Sequence, residues 1–344
     1  MNRRTLLPTL ALATALSLGL SGCMAGENAA DAGSADGATQ GGTLNIDFAT
    51  YNPLSLIVRE QGWLEDALAE QDMDVNWVQS AGSNKANEAL RAGAIDVGST
   101  AGSAALLARS NGSPIRTIDI YSQPEWSALV TLPDSGITSV EDLRGKSVAA
   151  TIGTDPYFFL LQALEAAGVD QSEVTIENLQ HADGRSALAS GAVDAWAGLD
   201  PIMAAAEQDG AQLFFRDIDF NTYGFLNATE DFLEEQPDVA QTVVDAYEHA
   251  RAWAEENPEE TAAILAEVAG IDQAVANSVI LDRTNLAVDP APGDAQRSVL
   301  EKIGPVFVEN GDVLEQAQVD EALETLLDPS FVENADPDAI GSSS

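Results

Sequence analysis

Ala89-Leu90-Arg91-Ala92-Gly93-Ala94-Ile95-Asp96-Val97 returns 98 residues later as Ala187-Leu188-Ala189-Ser190-Gly191-Ala192-Val193-Asp194-Ala195. In both copies a helical segment stops at a glycine, the residue that accepts the left-handed backbone found just past a helix end. A short apolar strand follows at once. Stacked solenoid repeats have periods of about 20–50 residues. An offset this long marks two related lobes instead.

Outward from the first copy, residues 44–48 alternate as a strand and 54–68 read as a helix broken at Gly62. Residues 75–78 form the next strand, 85–92 a helix closed by Gly93, 95–97 a strand opening into a small-residue loop at 98–103, and 104–109 a further helix. Around the second copy the order recurs: strand 147–150, helix 155–167 closed by Gly168, strand 174–176, helix 183–190, strand 193–196. Strands alternating with helices of about 10–15 residues define α/β lobes with mostly parallel sheets flanked by helices. The short apolar runs 118–121 and 213–216 suit two connections through a hinge. Beyond Tyr223 the chain is almost wholly helical, with Val239, Val243, Tyr247, Ala250 and Trp253 at helical spacing. The parse is lobe one at 43–122, lobe two at 123–217, completion of lobe one at 218–335 and a loose tail at 336–344.

Of 344 residues, 56 are Asp or Glu and 15 are Lys or Arg, a formal charge of −41. Only Lys85, Lys146 and Lys302 are lysines. This balance excludes nucleic acid and anionic lipid as partners, because both need basic patches. It favours a soluble monomer. Two histidines and one cysteine exclude zinc fingers, iron–sulfur clusters and disulfide scaffolds. No resident metal or cofactor is expected.

Met1-Asn2-Arg3-Arg4 precedes an uncharged apolar run at 6–20, too short to span a ~30 Å hydrocarbon core and suited to a signal peptide at 1–22. Leu20-Ser21-Gly22-Cys23 resembles the lipobox of bacterial lipoproteins, which implies cleavage before Cys23 and a lipid on its sulfur. Cleavage also removes Arg3 and Arg4 and leaves a charge of −43. Residues 23–42 are rich in Ala, Gly, Asp and Ser and read as a flexible linker. The expected location is outside the cytoplasm, lipid-anchored to the outer face of the cell membrane or periplasmic.

Four stretches carry a wider resemblance: Gly62-Trp63-Leu64-Glu65, the run from Leu90 to Gly98, Ile137-Thr138-Ser139-Val140-Glu141-Asp142-Leu143-Arg144-Gly145-Lys146, and Gly191-Ala192-Val193-Asp194-Ala195-Trp196. In these the chain resembles the substrate-binding proteins of ABC importers for aliphatic sulfonates, with the taurine and nitrate branches close by. The resemblance implies a two-lobed, type II periplasmic-binding-protein-like fold with hinged lobes. It implies a small-molecule ligand, an ABC permease with a cytoplasmic ATPase as partner, and no enzymatic activity.

In α/β lobes a ligand sits beyond the carboxyl ends of the strands. The small polar loops there offer Tyr51, Asn52, Ser83, Ser99, Thr100, Ser103, Gly153, Thr154, Asp155, Tyr157, Trp196 and Asp200, joined near the hinge by Trp126, Asn221 and Tyr223. Helix N-termini can hold a sulfonate without lysine. Asp155 and Asp200 precede prolines and are read either as helix caps or as ligand contacts. Tyr51, Tyr157 and Trp196 are read either as core aromatics or as cleft walls. His181 and His249 have no visible partner and read as structural. Asp155 departs from the small neutral residue the sulfonate branch carries there. A carboxylate repels an anion, or receives the ammonium of a zwitterion or an amine such as a thiamine-pyrimidine precursor. An exported enzyme built on paired carboxylates is the remaining alternative, though no nucleophile elbow, zinc-protease helix or P-loop is present.

Overall fold

The computed structural model describes residues 42–341. The signal-peptide and Cys23 readings, nearly all of the linker, and residues 342–344 lie outside them. Lobe one begins with β1 (Thr43–Phe48), α1 (Pro53–Gln61), α2 (Trp63–Ala69), β2 (Asp74–Gln79), α3 (Ser83–Arg91), β3 (Val97–Ala101), α4 (Gly102–Ser110) and β4 (Ile115–Pro124). Helix α1 starts where Asn52 accepts from Ser55 N and Pro53 sets the first turn, and it stops at Gly62, whose φ of 71° is left-handed. Its buried Leu54, Leu56, Ile57 and Val58 face the core. Each such side chain contributes about 1.5–3 kcal/mol by leaving water.

Lobe two holds β5 (Ser127–Thr131), β6 (Ser147–Ala150), α5 (Asp155–Ala166), β7 (Thr175–Asn178), α6 (His181–Ala189), β8 (Ala195–Leu199), α7 (Ile202–Gln208) and β9 (Gln212–Phe215). The chain then returns to lobe one as β10 (Gly224–Thr229), α8 (Glu230–Glu235), α9 (Pro237–Glu256), α10 (Pro258–Ala269), α11 (Gln273–Asn277), β11 (Thr284–Asn285), α12 (Asp294–Asn310) and α13 (Gln316–Thr325).

The sheets run β11-β4-β10-β3-β1-β2 and β7-β6-β8-β5-β9. Both are mixed rather than mostly parallel. In lobe one β1 is parallel to β2 and β3, while β10 runs antiparallel to β3 and β4 and β11 antiparallel to β4. In lobe two β6 is parallel to β7 and β8, and β5 antiparallel to β8 and β9. Apart from β11, the antiparallel pairings involve the strands that flank the two crossings, where the chain passes from one sheet to the other with no α-helix between, only a 3-10 turn at Ile218–Phe220 in the second.

Both copies of the repeated segment place their strand later than expected. β3 spans 97–101 and β8 spans 195–199, because Asp96 and Asp194 are not strand interior. Asp96 Oδ2 accepts from Asn45 N at 2.8 Å, and Asp194 Oδ2 accepts from Ser147 N at 2.9 Å. Each carboxylate ties down the start of the neighbouring strand, and the small residues after it run through a doubly covered sheet. The expected hinge segments also shift. Residues 118–121 lie inside β4 and 213–215 inside β9. The crossings themselves are Glu125–Trp126 and residues 216–223, joined by a two-point ion pair from Arg216 to Glu125 at 3.0 and 2.6 Å. The expected loose tail is seated as far as Ile340. That side chain is 4% exposed, Asp336 N donates to Asp245 Oδ1, and His249 Nδ1 meets Pro337 O.

Candidate functional site

Helix α5 explains how the lobes meet. Pro156, Tyr157, Phe158, Phe159, Leu160 and Leu161 are all buried. A helix apolar on every side needs cover on every side. Lobe two covers one face, where Phe159 packs on Phe215 and Phe220. Lobe one covers the other, where the ring centroids of Phe158 and Phe307 on α12 are 4.7 Å apart. Tyr157 belongs to this packing, and its hydroxyl accepts from Asn310 Nδ2 at 2.6 Å.

At the start of α5 the seam turns polar. Asp155 is 1% exposed and accepts four hydrogen bonds. Ser103 Oγ (2.6 Å) and Thr222 Oγ1 (2.7 Å) donate to Oδ1, and Trp126 Nε1 (2.7 Å) and Thr222 N (2.8 Å) donate to Oδ2. Ser103 opens α4 of lobe one, Trp126 lies on the first crossing and Thr222 on the second. Burial pushes the Asp155 carboxyl up from its ordinary value, and these donors pull it back. No cation is among them. Uncompensated N–H dipoles and hydroxyls alone hold this carboxylate.

A second link lies on the β11 side. Arg283, in the segment leading to β11, reaches Asp200 beyond β8 at 3.2 Å and also pairs with Glu207 on α7. Asp200 Oδ1 also accepts from Ala204 N at 2.9 Å, so this residue caps α7 and bridges the lobes. Burial pushes its carboxyl up to about 6 even beside the guanidinium. Between these links a cavity of about 10 Å³ is lined by Thr50, Tyr51, Trp126, Asp200 and Arg283. That is about the room a single water needs. The cavity is too small for a solute of several heavy atoms.

The sequence-derived residues divide sharply. Ser103, Trp126, Asp155, Asp200 and Tyr51 meet at the seam. Asn221 supports it, its Oδ1 accepting from Ser127 N at 2.8 Å, and Tyr223 accepts from Gln123 at 3.2 Å beside the crossing. Gly153 and Thr154 form the turn into α5, with Thr154 Oγ1 donating to Thr151 O. Asn52, Ser99 and Thr100 are not brought to the seam. Asn52 caps α1 and donates to Ser99 Oγ, Ser99 donates to Asp47, and Thr100 accepts from Asn227. All are fully buried, because β3 ends at Ala101, past the Val97 where its pattern predicts the strand to stop. Ser83 Oγ accepts from Ala101 N at 2.9 Å, which locks α3 to β3. Trp196 is a core residue of lobe two, 1% exposed. Thr222 and Arg283 were missed by sequence reading. Thr222 stood in view between two chosen residues, whereas nothing local marks Arg283.

Two mixed α/β lobes, two crossings and a polar seam closed between them define the bilobal binding-protein fold. The chain belongs to the NMT1/THI5-like family, whose model matches residues 56–261. An Escherichia coli K12 protein named "Putative aliphatic sulfonates-binding protein" is 28% identical over 239 residues, covering 69% of this chain and 75% of its own. The alkanesulfonate-binding protein SsuA from Xanthomonas axonopodis pv. citri, solved bound to MOPS, superposes with a TM-score of 0.73 at 23% identity, over 84% of this chain and 99% of its own. The desulfurization enzyme DSZB shares the fold at 16% identity and a TM-score of 0.63, over 85% of this chain and 98% of its own. The fold thus carries both binding and catalysis, and the site must decide between them. Among the described residues no group of His, Cys, Asp and Glu is placed to hold a metal, and no helix is long and apolar enough to cross a membrane.

Proposed function

We propose that this protein is the extracytoplasmic solute-binding component of an ABC importer. It captures a small sulfonate-type solute between its lobes by hinge closure and delivers it to a permease, tethered by a lipid on Cys23. The observation that carries the reading is the set of donors around Asp155. Ser103, Trp126 and Thr222 come from lobe one and from both crossings, and they hold a buried oxyanion without a single cation. A sulfonate offers the same kind of acceptor oxygens. When the lobes separate, Ser103 parts from Asp155 and the donors turn to solvent, where a solute anion competes for them. The names of the relatives point the same way. Asp155 and Asp200 are both committed to chain partners, so neither of these two carboxyls is free to act as an acid or base at the seam.

A thermal-shift screen of the purified protein against alkanesulfonates, taurine, nitrate, sulfate, thiamine precursors and simple amines tests this. A ligand that binds only the folded form adds about 2.7 kcal/mol at a hundredfold excess over Kd. Stabilisation by sulfonates supports the reading. Stabilisation only by compounds that lack a sulfonate overturns it.

A further inference from the structure

Away from Asp155, the seam brings together the starts of α3 and α6. His181 is 1% exposed, and its Nε2 has no hydrogen-bond partner. Asn84 Oδ1 and Gln180 Oε1 are likewise buried and unpartnered. Asn84 comes from lobe one, and Gln180 and His181 from lobe two. A β-carbon built on Gly82 would lie 2.9 Å from Asn84 Oδ1 and 3.1 Å from His181 Nε2. These two atoms are therefore no farther apart than two hydrogen-bond lengths, and one small group set between them reaches both.

All three atoms are acceptors. The Thr151 hydroxyl has one proton and donates it to Leu179 O at 2.7 Å. It therefore faces His181 Nδ1, 3.2 Å away, as an acceptor, which places the imidazole proton on Nδ1 and leaves a lone pair on Nε2. Burial pushes the His181 pKa down to about 4, so the ring is neutral. Two unpaired acceptors from two lobes, Asn84 Oδ1 and His181 Nε2, call for a donor, because each buried acceptor left unpaired costs free energy that a bound N–H group recovers. The N-termini of α3 and α6 carry no side-chain cap, so an anionic group has N–H partners beside them.

We infer that the interlobe site contains an amine subsite in which Asn84 Oδ1 and His181 Nε2 receive an amino group of the solute. Resting on the sulfonate reading above, this makes the preferred solute an aminoalkanesulfonate rather than a plain alkanesulfonate.

Titration calorimetry on the purified protein with taurine and ethanesulfonate, which differ only by the amino group, tests it. Wild type binds taurine about tenfold tighter or more. Asn84→Ala and His181→Phe each bring the two affinities within about threefold while ethanesulfonate binding persists. If His181→Phe fails to fold, the partly exposed Asn84 carries the test alone. Equal affinities in wild type overturn the inference, as expected if the Asn84 amide is turned over and itself donates to His181. A taurine preference that survives both substitutions overturns it as well. Should neither sulfonate bind while ethanolamine binds with the same Asn84 dependence, the sulfonate reading falls and the amine subsite stands. If no amine binds either, the subsite falls too.

Discussion

Ser103 Oγ, in the first turn of α4, donates to Asp155 Oδ1, in the first turn of α5, at 2.6 Å. One residue belongs to each lobe, and both sit at helix N-termini, where backbone dipoles favour negative charge. The carboxylate thus occupies ground that would suit an anionic solute, and it does so as part of the chain. Closure and anion binding compete for the same donors.

Removing that competitor is expected to loosen closure and sharpen anion binding. Asp155→Ala leaves Ser103, Trp126 and Thr222 with free donors. Small-angle scattering of the solute-free variant should show a larger radius of gyration than wild type. Calorimetry with ethanesulfonate should show tighter binding by about tenfold, the scale of one hydrogen bond to a charged group. Weaker binding would instead make Asp155 part of the solute's own contacts.

The Arg283 link gives a double-mutant test. Arg283→Met strands Asp200, 3% exposed, without its cation. Breaking one side of a buried pair costs about 3–5 kcal/mol, because the remaining charge stays desolvated. The double variant Arg283→Met with Asp200→Asn should recover much of this in urea unfolding. Additive losses would show that the two residues do not depend on each other.

Asp47 sets a pH dependence inside lobe one. It is fully buried on β1, where Ser99 N and Ser99 Oγ each donate to it at 2.8 Å, and burial still pushes its carboxyl up to about 7. Below its ordinary value of 3.8 both folded and unfolded chains hold the proton. Between there and about pH 7 only the folded chain does, so this contribution falls as pH rises and levels off above 7. The loss is about 4 kcal/mol, from about 1.4 kcal/mol per pH unit. Asp47→Asn should lack that slope, so the difference between wild-type and variant stability, followed by unfolding from about pH 4 to 7, should isolate it. His181 acts in the opposite sense, losing stability as pH falls from 6.5 to about 4, so the comparison must be made variant by variant.

What was legible in the sequence follows from which interactions are local. The repeated glycine-terminated helices showed two lobes, since a helix end is written within a few residues. β3 ends at Ala101 rather than Val97 and β8 at Leu199 rather than Trp196, because their small residues, Gly98-Ser99-Thr100 and Ala197-Gly198, look like loop until two flanking layers cover them. That slip placed Ser99 and Thr100 in the cleft. Asp155 was singled out by its position, but its partners lie 29 to 67 residues away in the chain. Arg283 meets Asp200 across 83 residues, and no local pattern encodes such a pairing.

Gly82 offers the most direct test of how tightly the seam must close. Its φ of 162° is extended backbone open to any residue, so alanine there does not strain lobe one. The added methyl group instead points at Asn84 Oδ1 and His181 Nε2, at 2.9 and 3.1 Å. Asn84 has room to turn, but the His181 ring is buried and tied to Thr151. Gly82→Ala should therefore fold with unchanged circular dichroism and act as a wedge between the lobes. Scattering should then show less compaction on adding saturating solute than wild type shows. Affinity should drop by about tenfold or more, in line with the 1–3 kcal/mol that overpacking costs. Tight binding with normal compaction would show that His181 gives way to a methyl group at little cost. The seam would then close around the solute loosely at this point, and recognition would rest on the Asp155 side alone.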